Sequence, residues 1–95
     1  LLAVWTQFGR PSTVVVDSHG AIYAGDGMSN DQWNPGWERG IRIGDVQTGW
    51  VTSFIPDSEA PTGTGVEFLG LDFEGNIYAG EVGRQRLVKY VRFRP

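Results

Sequence analysis

The 95-residue chain has no cysteine, a single histidine, His19, and a single methionine, Met28. Without cysteine there is no disulfide frame, no thiolate nucleophile and no Cys-ligated zinc. With one histidine, and no G-x-S-x-G around Ser12, Ser18, Ser29, Ser53 or Ser58, a serine triad is not expected. The glycines match neither phosphate-binding spacing, so no nucleotide site is expected. Positive charge is scarce: eight Lys plus Arg against eleven Asp plus Glu leave a net charge of −3. The only basic grouping is Lys89, Arg92 and Arg94 in the tail, whereas a nucleic-acid footprint needs clustered charge, so no nucleic-acid partner is expected. No apolar run approaches the roughly 18 residues of a membrane span. The expectation is therefore a soluble chain with no membrane partner, its compartment left open.

What the chain has in quantity is glycine and aromatic residues: fourteen Gly, five Pro, four Trp, three Tyr and five Phe. Glycine interrupts helices, while aromatic and β-branched side chains suit half-buried pleated surfaces. Short strands joined by tight turns are expected. The apolar share of 40% and charged share of 20% are those of a chain that folds rather than of a disordered one.

A repeat organises these strands. Val16 to Asp26, V-D-S-H-G-A-I-Y-A-G-D, recurs as Leu71 to Glu81, L-D-F-E-G-N-I-Y-A-G-E. At a constant offset Asp17/Asp72, Gly20/Gly75, Ile22/Ile77, Tyr23/Tyr78, Ala24/Ala79 and Gly25/Gly80 are identical, and Asp26/Glu81 is conservative. In each copy an apolar strand, Thr13 to Val16 or Phe68 to Leu71, runs into Asp-x-x-Gly, where Asp bonds the turn backbone and Gly supplies a positive φ. A second strand, Ile22 to Gly25 or Ile77 to Gly80, returns. After the first hairpin, a polar aromatic loop (27–40) leads to Ile41–Val46 and Trp50–Ile55, whose period-two alternation predicts two more strands. The Pro- and Gly-rich stretch 56–65 reads as a connection. The second hairpin is followed by one strand, Leu87–Phe93, and the strand-like run Leu1 to Phe8 supplies a candidate for the missing fourth.

The repeated motif, with the R-L-V-K-Y strand of Arg86 to Tyr90, resembles the NHL-repeat propellers and the related gluconolactonase-like, six-bladed propellers. The resemblance implies an all-β fold of two four-stranded antiparallel propeller blades, assembling into a closed β-propeller by oligomerisation. The first blade would span 12–55 and the second 66–93, lacking its outer strand, with 1–8 as an outer strand completing its own or a neighbouring chain's blade. Propellers close with about 4–8 blades, and isolated repeats leave their faces open. The expected partner is thus a homo-oligomer, a trimer giving six blades, or else the remaining blades of a longer chain.

In that architecture one face collects the loops, and it holds the candidate site. Trp33 and Trp37, flanking Asn34-Pro35-Gly36, can stack on a sugar, a ring or a partner, with Asn30, Arg10 and Arg84 as polar contacts. The same tryptophans can instead pin the loop or pack between subunits. Asp26 and Glu81, with Asp31, offer oxygen ligands of the kind Ca²⁺ or another divalent ion takes, and the resemblance implies such a metal in the channel. The same carboxylates can instead pair with Arg39, Arg84 and Arg86. Asp17 and Asp72 are expected to hold hairpin backbone, and His19 to sit exposed in a turn. Two functions follow as expectations: a binding or scaffold propeller taking a small ligand or protein on its loop face, or a metal-dependent hydrolase of lactone type.

Overall fold

A computed structural model describes residues 1–30, 32 and 34–93. Seven strands follow one another: β1 (Thr13–Val16), β2 (Ala21–Asp26), β3 (Gly40–Asp45), β4 (Val51–Pro56), β5 (Phe68–Leu71), β6 (Ile77–Glu81) and β7 (Arg86–Tyr90), with a 3-10 turn, Val82–Arg84, between the last two. The chain is all-β. Strands β1 to β4 form one antiparallel meander and β5 to β7 a second, each neighbour in sequence being its neighbour in space. Both β1 and β5 keep the bounds expected from the repeat. Among the described residues no helix is long and apolar enough to cross a membrane.

The turn chemistry explains why the hairpins form. Asp17 Oδ1 accepts the backbone N–H groups of His19 and Ala21 at 2.8 and 2.9 Å, and Asp72 Oδ1 accepts those of Glu74 and Asn76 at 2.9 and 3.0 Å. Gly20 and Gly75 complete the two turns at φ 86° and 84°, in the left-handed region that favours glycine. In each copy the repeated tyrosine reaches back as well: Tyr23 Oη donates to Asp17 and Tyr78 Oη to Asp72. The motif is thus a closed hydrogen-bonded unit of Asp, Gly and Tyr.

Because side chains alternate across a strand, the registers define two faces on each sheet. On the first sheet one face carries Val15, Tyr23, Ile41 and Ile43, and the other carries Val14, Ala24, Arg42 and Phe54. On the second, one face carries Leu69, Leu71, Ile77, Ala79 and Val88, and the other Phe68, Tyr78, Leu87 and Lys89. The core lies between the first face of each: Tyr23, Ile41, Val66, Ile77 and Ala79 are buried there, with Val15, Ile43, Leu69, Leu71 and Val88 packed around them. Burying each large side chain contributes about 1.5–3 kcal/mol, so this seam is what joins the sheets. Thr13 Oγ1 accepts the Leu69 N–H at 3.3 Å across it, tying β1 to β5.

The repeat alignment gives this seam a polarity. Tyr23, buried on the first sheet, and Val15, packed beside it, correspond to Tyr78 and Gly70 on the open face of the second. Leu69, Leu71, Ile77 and Ala79, packed in the seam, correspond to Val14, Val16, Ile22 and Ala24 on the outer face of the first. The sheets therefore pack front to back rather than front to front.

The N-terminal run departs from expectation. Leu1 to Phe8 pairs with no strand among the described residues. It lies instead over the outer face of β3 and the β3–β4 turn: Phe8 is 5% exposed and so close to Gly44 that a Cβ there would meet its ring at 3.1 Å, and Gln7 Nε2 donates to the Gly49 carbonyl at 2.6 Å. The first sheet stands between this segment and β7, the open edge of the second sheet, so the segment cannot complete its own chain's second meander. Among the described residues the two sheets remain an open pair, with no barrel or closed ring.

Candidate functional site

The loops at the ends of β2, β4 and β6 gather at one end of the molecule. Asp26, wholly buried at the end of β2, organises the start of the long loop: its carboxylate accepts the backbone N–H groups of Arg10, Met28 and Ser29 and the Ser29 hydroxyl. Arg42 Nη1 stands 3.7 Å from it. The Arg42 guanidinium is held between two rings, 5.0 Å from the Trp37 centroid and 4.5 Å from that of Phe54, and donates to the Glu38 carbonyl at 2.8 Å. Burial pulls the Arg42 pKa below its ordinary value, and Asp26 and Glu38 oppose that shift. Stacking and ion pairing together offset the cost of burying the cation.

On the other side of the same loops runs a chain of six charges. Arg39 Nε lies 3.6 Å from Asp57, which Arg84 grips through both Nη atoms at 3.1 and 3.0 Å. Arg84 also meets Glu81 at 3.3 Å; Glu81 takes Arg86 at 2.7 Å, and Arg86 pairs onward with Glu59. This network ties the end of β3's approach, the exit of β4, the 3-10 turn and β7 into one unit. Burial by itself would raise the Asp57 pKa, but the Arg84 hydrogen bonds hold it below the usual carboxylate value. Arg84 and Arg86 are correspondingly raised by their carboxylate partners.

Between these two arrangements opens a cleft of about 530 Å³, lined by Ser29, Asn30, Trp37, Arg39, Asp57 and Pro61 among others. Trp37 presents its ring there at 38% exposure, while Arg39 is 4% exposed and anchored to the carbonyls of Gly27 and Gly63. Asn30 turns its Oδ1 to the N–H of Gln32. Such a cleft offers a flat apolar surface rimmed by amide, hydroxyl and charged groups.

The structure places both Trp37 and Asn30 in the lining of this cleft. Arg10 and Arg84 are not among the residues lining it. Arg10 meets Asp26 through its backbone, and Arg84 is engaged by Asp57, Glu81 and the Thr62 carbonyl. Asp31 and Trp33 lie outside the described residues. Of Asp26 and Glu81, expected as metal ligands, Glu81 is held by Arg84 and Arg86, two of the arginines named as its alternative partners, whereas Asp26 pairs with Arg42, which was not among them. Among the described residues no three His, Cys, Asp or Glu side chains are grouped so that they could hold a metal ion. His19 is exposed in its turn, and Asp17 and Asp72 serve hairpin backbone.

Three contributors escape sequence reasoning. Asp57 as a hub, Arg42 as a stacked cation and Glu59 as the end of the charge chain sit in segments whose spacing carries no motif. The only signal available for them was the presence of both arginines and acids near the loops, which does not say who pairs with whom. Comparison with family models, with curated proteins and with solved structures returned no match to this chain.

Proposed function

We propose that the chain is a propeller-type binding module whose loop-end cleft takes a small polar ligand with a flat face. The observation that carries this is the cleft itself: an exposed tryptophan ring beside Asn30, Ser29 and the Asp57 carboxylate, on walls fixed by ion pairs rather than left to loop motion. A sugar or a neutral heterocycle fits that chemistry, stacking on Trp37 and exchanging hydrogen bonds with the amide and hydroxyl rim. A binding module needs a rigid frame behind its contact residues, and the six-charge network supplies one. The front-to-back packing of two repeat copies supports the propeller part of the proposal, because it is the relation in which successive blades stand.

The pairing of Asp26 with Arg42 and of Glu81 with Arg84 and Arg86 weighs against the metal-dependent lactone hydrolase. That chemistry needs these carboxylates on an ion, and Asp26 would first have to leave the buried Arg42 and Glu81 its two pairings with Arg84 and Arg86. The binding proposal is tested by titrating the ¹⁵N-labelled chain with a panel of monosaccharides and nucleosides. Shifts confined to the Trp37 indole N–H, Asn30 and residues 57–61, and absent from Trp37→Ala, are the expected result. A panel that leaves the Trp37 indole and its surroundings unmoved overturns it.

A further inference from the structure

The two outer faces of this molecule both carry exposed apolar side chains. The outer face of the first sheet shows Val14 and Val16, 55% and 52% exposed, with Ile22 beside them. The open face of the second shows Phe68 and Leu87, 64% and 68% exposed, around Tyr78. These are large apolar groups for a surface in water.

Both faces have counterparts inside the molecule. By the repeat alignment Val14, Val16 and Ile22 stand where Leu69, Leu71 and Ile77 stand on the second sheet. By register, Leu87 beside Gly80 stands where Ile41 stands beside Gly25, and Tyr78 where Tyr23 stands. Those equivalents are the residues that already pack against one another in the internal seam. One face thus has the chemistry of the seam's back half and the other that of its front half.

We propose that these faces are occupied by second copies of this chain, joined head to tail so that the β5–β7 sheet of one copy lies on the β1–β4 sheet of the next and repeats the internal seam. The interface is heterologous, using two different patches, and a heterologous contact builds a ring when its rotation closes. Closure with about 4–8 sheets would take two to four copies.

The N-terminal segment fits the same placement. It lies over the outer face of β3, in the layer the incoming sheet would occupy, and that sheet arrives with β7 as an unpaired edge. Leu1, Leu2 and Val4 are 108%, 105% and 75% exposed here, as a strand awaiting its partner would be. Residues 1–8 become the fourth strand of the neighbouring copy's three-stranded sheet, which is the expected outer strand supplied between chains. This inference rests on the repeat relation of the two sheets and is independent of the cleft.

The experiment uses two variants that each spoil one half: Val14→Lys with Val16→Glu on the first sheet, and Phe68→Glu with Leu87→Lys on the second. All four positions are exposed, so circular dichroism should match the parent chain for both. Size exclusion with light scattering should show the parent as a discrete multiple of 10.5 kDa and each variant alone as a monomer. An equimolar mixture of the two should give a species of twice the chain mass and nothing larger, because only one good pair of faces remains. A parent chain monomeric from micromolar to millimolar concentration overturns the proposal. So does an associating parent whose variants each dimerise alone, since that result means each face meets its own kind, or whose variants stay monomeric when mixed, since the two intact faces then do not recognise one another. If instead a binding test on the loop-end cleft fails while the mixture pairs, the cleft proposal alone is lost.

Discussion

Asp26 and Glu81 close the same strand in the two repeats, yet they do different work. Asp26 starts a long loop, is wholly buried, and spends its oxygens on three backbone N–H groups, a hydroxyl and one arginine. Glu81 enters a one-turn 3-10 connection and is met by two arginines that follow it closely in sequence, Arg84 and Arg86. The hairpins below them are alike, down to the Asp–Tyr hydrogen bond. Repetition has preserved what the strands need to fold, while the loop end has diverged to suit two different neighbours: a stacked Arg42 in one case and a shared charge chain in the other.

The comparison can be broken at several points. The largest effect is expected from Asp26→Ala, which leaves Arg42 buried without its carboxylate and three N–H groups without an acceptor. Losing one partner of a buried pair costs about 3–5 kcal/mol, to be read as a lowered denaturation midpoint with unchanged slope. Glu81→Gln should cost less, about 1–2 kcal/mol, because Arg84 keeps Asp57, Arg86 keeps Glu59 and the amide still accepts a hydrogen bond. If the two variants cost the same, the difference in role is wrong. Trp37→Ala should cost about 1 kcal/mol through the lost stacking on Arg42, alongside its effect on ligand. Replacing His19 by Ala should stay within about 0.5 kcal/mol, as expected for an exposed turn residue.

The shared feature of the hairpins gives a pH signature. The hydrogen bonds from Asn76, with those of Tyr78 and the turn backbone, hold Asp72 at about 2, and those from Ala21 and His19 likewise lower Asp17. A carboxylate whose folded value lies below its unfolded value of 3.8 stabilises the folded chain above that value. The contribution then disappears as pH falls toward about 2. Acid unfolding followed between pH 5 and pH 2 should therefore be shallower in Asp72→Asn than in the parent. Parallel curves would show that the turn aspartate has no linkage to folding.

Much of this fold was legible in the sequence because its information is local. Asp-x-x-Gly states a turn, the alternation of Ile41 with Ile43 states a strand, and the repeated Val14/Leu69 and Tyr23/Tyr78 positions state two copies of one unit. The placement of Leu1 to Phe8 was not legible, since its apolar pattern suits an edge strand and does not say which sheet will stand within reach. Of the cleft's lining, Trp37 and Asn30 could be named from the composition of their loop. The Arg39–Asp57–Arg84 contacts could not, because they join residues far apart in the chain whose meeting depends on how the two sheets stack.

The claim on which the rest depends is that the sheets stack front to back. Methyl and aromatic proton contacts by NMR in a monomeric variant test it directly. Contacts linking Tyr23 and Ile41 to Ile77 and Ala79, with Phe68 and Leu87 free of any from the first sheet, are the predicted result. Contacts from Tyr23 to Phe68 or Leu87 would mean that equivalent faces meet each other, and would contradict both the repeat relation and the head-to-tail assembly built on it.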